Sequence, residues 1–318
     1  MTKFSWLKGL LLAGTLYAGG AGAEESVAPT DSAPAVEAKP APPPVWKKKA
    51  KYAVPYFLRP AIAPNLLRLD GSLAIQTTAF TGASILTAGG KPFESLGDLG
   101  FYGRFGVVGQ STASLTGVAA TNPLLFGLWT PELAPGWRLP VFLGVTLPMG
   151  MGGGNAPNPV HRPTIGAGIY ARQAMDNALF ATNYLTVTGG VGLAWLGHGF
   201  TVQAEVTLLE LIRTRGETVD LEPTRTNFTA GLHVGYQIVD WLTASTEIHV
   251  QRWFVAPAGA VKSPAGLEQA TWGLGLRANL PITDSIIIRP GVAYFHPLDT
   301  PMAALGYRII HLDVPVIF

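Results

Sequence analysis

Long stretches of this chain alternate apolar and polar side chains with a period of two, and few folds accommodate such stretches. Between Thr226 and Ile238, Phe228, Ala230, Leu232, Val234, Tyr236 and Ile238 share one face, while Asn227, Thr229, Gly231, His233, Gly235 and Gln237 share the other. Leu242, Ala244, Ile248 and Val250 likewise oppose Thr243, Ser245, Glu247, His249 and Gln251. Trp272, Leu274, Leu276 and Leu280 oppose Thr271, Gly273, Gly275, Arg277 and Asn279. Side chains leave a strand on opposite faces in turn, so this pattern predicts strands. At roughly 10 to 13 residues they exceed the ~5–6 of an ordinary globular sheet and suit the ~9–11 of a tilted bilayer crossing.

A soluble sandwich turns its apolar face inward; a membrane barrel turns it outward to lipid. Here the polar faces carry Gly, Thr, Asn and Gln and little Lys, which fits a confined lining better than a free surface. Trp137, Trp195 and Trp241 fall near one set of turns, and Trp253 and Trp272 near the other, as two interfacial girdles require. At the end of the chain, Ile310, Leu312, Val314, Val316 and Phe318 share a face, and His311 and Asp313 point the other way. A last strand with apolar Leu312, Val314 and Val316 and a terminal Phe318 resembles the insertion signal of bacterial outer-membrane barrel proteins. That resemblance implies recognition by the barrel-assembly machinery. The fold class expected is all-β: a transmembrane antiparallel up-and-down barrel of about twelve strands (about 10–14) over residues 65–318, in contact with outer-membrane lipids.

The first 23 residues read as an export leader. Lys3 and Lys8 precede and flank an apolar run from Gly9 to Ala18, followed by small residues through Ala21-Gly22-Ala23. The run is too short to span a bilayer as a helix, which takes about 20 residues. Residues 24–64 are expected to be a disordered, Pro- and Lys-rich periplasmic linker. Pro42, Pro43 and Pro44 are consecutive, and Trp46-Lys47-Lys48-Lys49-Ala50-Lys51 adds a basic cluster able to meet a periplasmic partner or the cell wall. Two of the 22 basic residues lie in the leader, so the remainder balance the 20 acidic ones. That balance excludes a nucleic-acid binder, and the absence of cysteine excludes disulfides and thiolate metal sites.

Over the last eight strands, short connections (197–199, 239–241, 282–284) alternate with long ones (148–182, 213–225, 255–268, 297–305), as periplasmic turns and external loops do. Leu67–Phe80 and Leu99–Gly109 supply two earlier strands, and Ser111–Ala120 with Leu124–Thr130 another pair. By this phase Arg68, Asp70, Tyr102, Arg104, Arg138, Glu205, His233, Glu247, His249, Arg277, Arg289, His311 and Asp313 face the lumen. Charges in a narrow lumen need partners. The register suggests Glu247 beside His233 and Arg277, and Asp313 beside Arg289. The six histidines form no His-x₃-His pair, so no metal or other cofactor is expected. Ser245, Glu247 and His249 lie ~7 Å apart in successive steps along one strand, poor spacing for a nucleophile and its base, so no enzyme is expected. In the longest loop, Gly152-Gly153-Gly154 is followed by Ala156-Pro157 rather than by the lysine and helix of a phosphate cradle. Ala171–Leu179 reads as a short helix folded over or into the mouth.

Gly97-Asp98-Leu99 with Tyr102 and Arg104, then Val141–Gly150 ending Leu147-Pro148-Met149-Gly150, resembles a pattern in putative outer-membrane proteins of aromatic (phenol meta-cleavage) degradation pathways. The resemblance implies passage of small, rather apolar molecules. Two functions follow as expectations. One is an outer-membrane channel or uptake pore for small solutes. The other is a structural barrel anchoring an envelope-spanning machine through residues 24–64.

Overall fold

The computed structural model of the chain describes residues 52–261, 266–299 and 302–318. The leader and the basic cluster at 46–51 lie outside the described residues. Twelve antiparallel strands form one closed barrel. They are β1 (Leu66–Ile75), β2 (Phe80–Gly90), β3 (Leu99–Ser111), β4 (Thr116–Ala120 and Leu124–Trp129), β5 (Trp137–Arg138 and Val141–Thr146) and β6 (Tyr184–Gly197). There follow β7 (Phe200–Arg213), β8 (Thr224–Val239), β9 (Leu242–Val255), β10 (Glu268–Ala278), β11 (Ile287–Ile288 and Gly291–Pro297) and β12 (Arg308–Ile317). The barrel closes where β1 pairs with β12, from Leu66↔Ile317 to Ile75↔Arg308. Closure leaves no free sheet edge, which is what allows strands to stand in lipid.

The rim where β1 begins and β12 ends is here the near rim; the opposite one is the far rim. Alternation places large apolar side chains outside: Leu69 is 55% exposed, Leu125 61% and Leu312 59%. Polar neighbours one residue away are buried, Asp313 at 0% among them. In water this outer surface would be an apolar patch far larger than a soluble protein carries, so lipid is its solvent. Phe318, Leu312 and Val314 point outward as the sequence predicts. Trp253 departs from the expected girdle and packs against an internal cluster of Ala178, Tyr184, Leu209 and Leu211.

Two expectations are corrected. The pair expected from Ser111–Ala120 and Leu124–Thr130 is one strand, β4, broken at Thr121-Asn122-Pro123, with Ser111 in β3 and 112–115 as the turn: both pieces pair with β3. Proline cannot donate to a ladder; at the break the Asn122 backbone N–H donates to the carbonyl of Leu179 and its side-chain nitrogen to the carbonyls of Ala178 and Ala181. Leu67–Phe80 ends a residue into a second strand, β2, so the total remains twelve with different members. The alternation of short and long connections expected over the last eight strands holds for β5–β12; before them, the far-rim turns 76–79 and 112–115 are short as well.

Two segments fill the barrel. The connection from β5 to β6 carries helices α1 (His161–Ala171) and α2 (Asn177–Phe180) and folds inward from the far rim. Residues 52–64 enter from the near rim, with Tyr52, Ala53, Tyr56, Leu58 and Ala61 buried. This part of the expected linker therefore lies inside the barrel.

Candidate functional site

The near-rim segment is a loop that rises, turns at Phe57 and Leu58, and returns. Its backbone is held by side chains of the wall. The amide of Ala53 donates to Thr201 Oγ1 (2.8 Å), close to the near rim. Deeper in, the amides of Tyr56 and Phe57 donate to the two carboxylate oxygens of Glu247 (2.5 and 3.3 Å). Arg59 donates from its amide and its guanidinium to Glu205 (both 2.9 Å). On the return, the amide of Ala63 donates to Thr130 Oγ1 (3.1 Å), again at the near rim. Arg68 donates to the carbonyl of Tyr56, and the Tyr56 hydroxyl donates to the carbonyls of Leu276 and Val292.

Glycines on the inner wall make room for this segment. A methyl group at Gly231 would overlap Leu58, one at Gly235 Ala53, and one at Gly275 Tyr56. The glycine-rich polar face read from the sequence is thus a groove for chain as well as a lining.

The far-rim segment reaches down to meet the first. Beyond α1 the chain turns through Gln173 and Ala174, both left-handed (φ 57° and 56°). Such conformations are uncommon for residues other than glycine, and here they deliver Arg172, Gln173 and Asp176 into the lumen. Arg172 pairs with Asp70 (2.7 Å) and Asp176 (2.8 Å), and its guanidinium lies 4.6 Å from the centre of the Phe57 ring. Gln173 Oε1 sits 3.2 Å from His249 Nδ1 and accepts from Thr271 Oγ1 (2.9 Å). Burial by itself would raise the Asp176 carboxyl, but the guanidiniums of Arg104 and Arg172 hold it well below the usual carboxylate range.

Of the side chains predicted to face the lumen, Arg68, Asp70, Glu205, His233, Glu247, His249, Arg277, Arg289, His311 and Asp313 are buried inside. Arg104 faces inward and pairs with Asp176 (2.7 Å). Arg138 sits at the near rim between Asp98 and Glu132, away from the others. Glu247 lies beside His233 (3.0 Å) as the register suggests, and its second oxygen takes His249 (2.9 Å). The other suggested pairings are corrected. Arg277 turns to Asp313, which also takes Arg68. Asp313 stands opposite Gly291, so Arg289 lies two residues off register with it. Ser245 forms no hydrogen bond with Glu247 or His249, whose polar atoms are engaged elsewhere.

Arg59, Tyr56, Arg172 and Asp176 were not among the residues read as lining, because they lie in segments read as linker and loop. One signal was present: Arg172 and Asp176 stand four apart within the stretch expected to fold into the mouth. That stretch is the turn between α1 and α2 rather than a helix of its own.

At the far rim a cavity of about 390 Å³ opens between the inward segment and the 214–223 and 256–267 connections. Ile165, Ile169, Phe180 and Tyr184 give it an apolar floor, and Arg162, Asp220, Glu222 and Arg225 a charged edge. The edge charges are paired: Asp220 takes Arg162 (3.4 Å) and Arg225 (2.9 Å), and Arg225 also takes Glu222 (2.8 Å). The volume is in the ~300–1,000 Å³ range of small-molecule sites. A smaller cleft of about 40 Å³ lies between the near-rim segment and the wall at Arg68, Asp70 and Arg104.

Fold and interior together define a plugged twelve-stranded barrel of outer-membrane type. No protein-family profile matches the chain, and no curated protein matches it. Among solved structures it is similar to the COG4313 outer membrane channel from Pseudomonas putida F1. The TM-score is 0.52 and the identity 12%, over 83% of this chain and 98% of that one. It is also similar to the KdgM porin (TM-score 0.45, 7% identity, 79% of this chain and 99% of that one). A third is the NanC porin (0.45, 10%, 79% and 98%).

Proposed function

We propose that this protein is a channel for small solutes in the outer membrane of a Gram-negative bacterium, with its near rim toward the periplasm. In the state described, residues 52–64 and the β5–β6 connection hold it closed. The observation that carries this reading is what fills the lumen. Eight-stranded barrels can be filled by their own wall side chains, and larger ones enclose more space. This wall stays lined by glycine, threonine and charges that, Arg289 apart, are paired, and two chain segments take up the space. A barrel built only as an anchor has no use for an interior kept clear by glycine and then plugged.

The apolar floor of the far-rim cavity and the resemblance around Gly97-Asp98-Leu99 both favour small, rather apolar solutes. Export through the 1–23 leader, insertion through the Leu312–Phe318 signal by the assembly machinery, and the absence of catalysis belong to the same reading. An anchoring role would work through residues 24–64, of which 52–64 are committed to the lumen.

Planar-bilayer conductance and liposome swelling test the proposal. The full chain is expected to show low conductance, rising to a stable open level when residues 52–64 are displaced. Folded protein that stays non-conducting with the segment displaced would refute it.

A further inference from the structure

At the near rim, one guanidinium differs from all the others inside the barrel. Among the described residues, Arg59, Arg68, Arg104, Arg172 and Arg277 each lie against a carboxylate. Arg289 is 1% exposed and lies against none. Its Nε and Nη1 have no hydrogen-bond partner. Beside it, one residue past the end of β10 and between the pairs Arg277↔Gly291 and Leu280↔Ile288, stands Asn279, 3% exposed with both amide atoms unpartnered. Arg277 adds an unpartnered Nε and donates from Nη1 to the carbonyl of Arg289 (2.8 Å). The ring of Tyr52 covers the group, its centre 4.9 Å from the Arg289 guanidinium carbon.

Buried polar groups almost always find partners, and a buried charge needs a counter-charge. Among the described residues, the charged side chain beside it on the wall, Arg277, has the same sign. Its single carboxylate, Asp313, is shared with Arg68.

The structure assigns Arg289, Asn279 and the Nε of Arg277 to a binding site for a small carboxylate at the near end of the lumen, with Tyr52 as its cover. One negative charge balances the one unpaired guanidinium. The two oxygens of a carboxylate match planar N–H donors from a guanidinium and an amide, a geometry that chloride cannot share. Because Tyr52 lies over the guanidinium, the anion reaches it when the start of the 52–64 segment lifts. The site goes beyond the channel reading and does not depend on it, because binding requires no permeation.

The test is calorimetric titration of the full-length protein in detergent micelles with sodium acetate and with sodium benzoate, at constant ionic strength set by sodium chloride. Saturable binding at one site is expected. Arg289→Gln should weaken it at least tenfold, Asn279→Ala severalfold, and Arg138→Gln, at the rim, not at all. Arg289→Lys keeps the charge but loses the planar donors, and should retain weakened binding. Wild-type protein that shows no saturable binding above the chloride background overturns the proposal, as does unchanged affinity in Arg289→Gln. Loss of the folded, heat-modifiable barrel in Arg289→Gln would overturn it too, since Arg289 would then have a structural partner.

Discussion

The two segments that close this barrel are built differently. The one from the far rim is helical, and both its ends continue into the wall. It buries Ile165, Ala171, Leu179 and Phe180 against Ile85, Val108, Ala119 and Leu124 of the strands. The one from the near rim is an extended loop whose backbone hangs on wall carboxylates and hydroxyls, and it buries Tyr52, Val54, Tyr56 and Leu58 as well. Moving the first exposes apolar surface at about 25 cal/mol per Å² and strips buried ion pairs. Moving the second also exposes apolar side chains and breaks the Arg59–Glu205 pair, but it hydrates a run of backbone hydrogen bonds at about 0.5–1.5 kcal/mol each for neutral groups and about 1.5–3 for those to a charge. Because both ends of the far segment are joined to the wall, it is expected to be the fixed constriction and the near segment the movable one.

The largest expected effect breaks that comparison from the near side. Gly235→Leu in the full chain places a side chain where Ala53 lies, and should drive the near segment out of the lumen. Single-channel recording should then show an open level that is rare or absent in the wild type. If the conductance is unchanged, the near segment is not the movable element.

The next largest acts on the far segment. Arg172→Ala removes the partner that Asp70 and Asp176 share, leaving Arg68 (3.7 Å) beside the first and Arg104 (2.7 Å) beside the second. It should lower unfolding stability by about 3–5 kcal/mol, the range for a broken buried pair, in denaturant titrations followed by tryptophan fluorescence. A loss below about 1 kcal/mol would mean that the far segment is held by its apolar contacts alone.

Glu247→Gln weakens the two amide contacts at Tyr56 and Phe57 without changing side-chain size. A loss of about 1–3 kcal/mol is expected, read as faster proteolysis within residues 52–64 while the α1–α2 region stays protected. Equal exposure of both segments would show that they move as one.

A smaller effect concerns pH. Because the Asp176 carboxyl is held below its ordinary value of 3.8, its stabilising contribution is complete above that value and is lost as the pH falls below it. Protease protection of the far segment should thus be flat from pH 8 to about 5 and decline only in stronger acid. An inflection near neutrality would assign control to the histidines instead.

Much of the wall was legible in the sequence because alternation is local: each residue's face follows from its neighbours. The inward set from Arg68 to Asp313 and the far-rim position of the longest loop follow from that rule alone. What fills the lumen was not legible. Residues 52–64 contain Pro55, Pro60 and Pro64 and no alternation, and their partners lie at Glu205 and Glu247, more than 140 residues away. The Arg289–Asp313 pairing failed for a more specific reason: Asp313 faces Gly291, which has no side chain, so Arg277 on β10 reaches across β11 to it. Thr121-Asn122-Pro123 looked like a turn between two strands because a proline interrupts both cases alike. Only the ladder to β3 tells them apart.

The near segment passes directly into β1 at Leu66, so its return limb is moored to the rim it came through. It can leave only by retreating the way it entered, like a loop of rope drawn back through a hawse-hole, and never by slipping out past α1. At ~3.3 Å per extended residue, unspooling the arc from Tyr52 to Pro64 frees about 40 Å of slack. The stopper therefore stays on a short leash, and its return is a matter of local search rather than of encounter from solution.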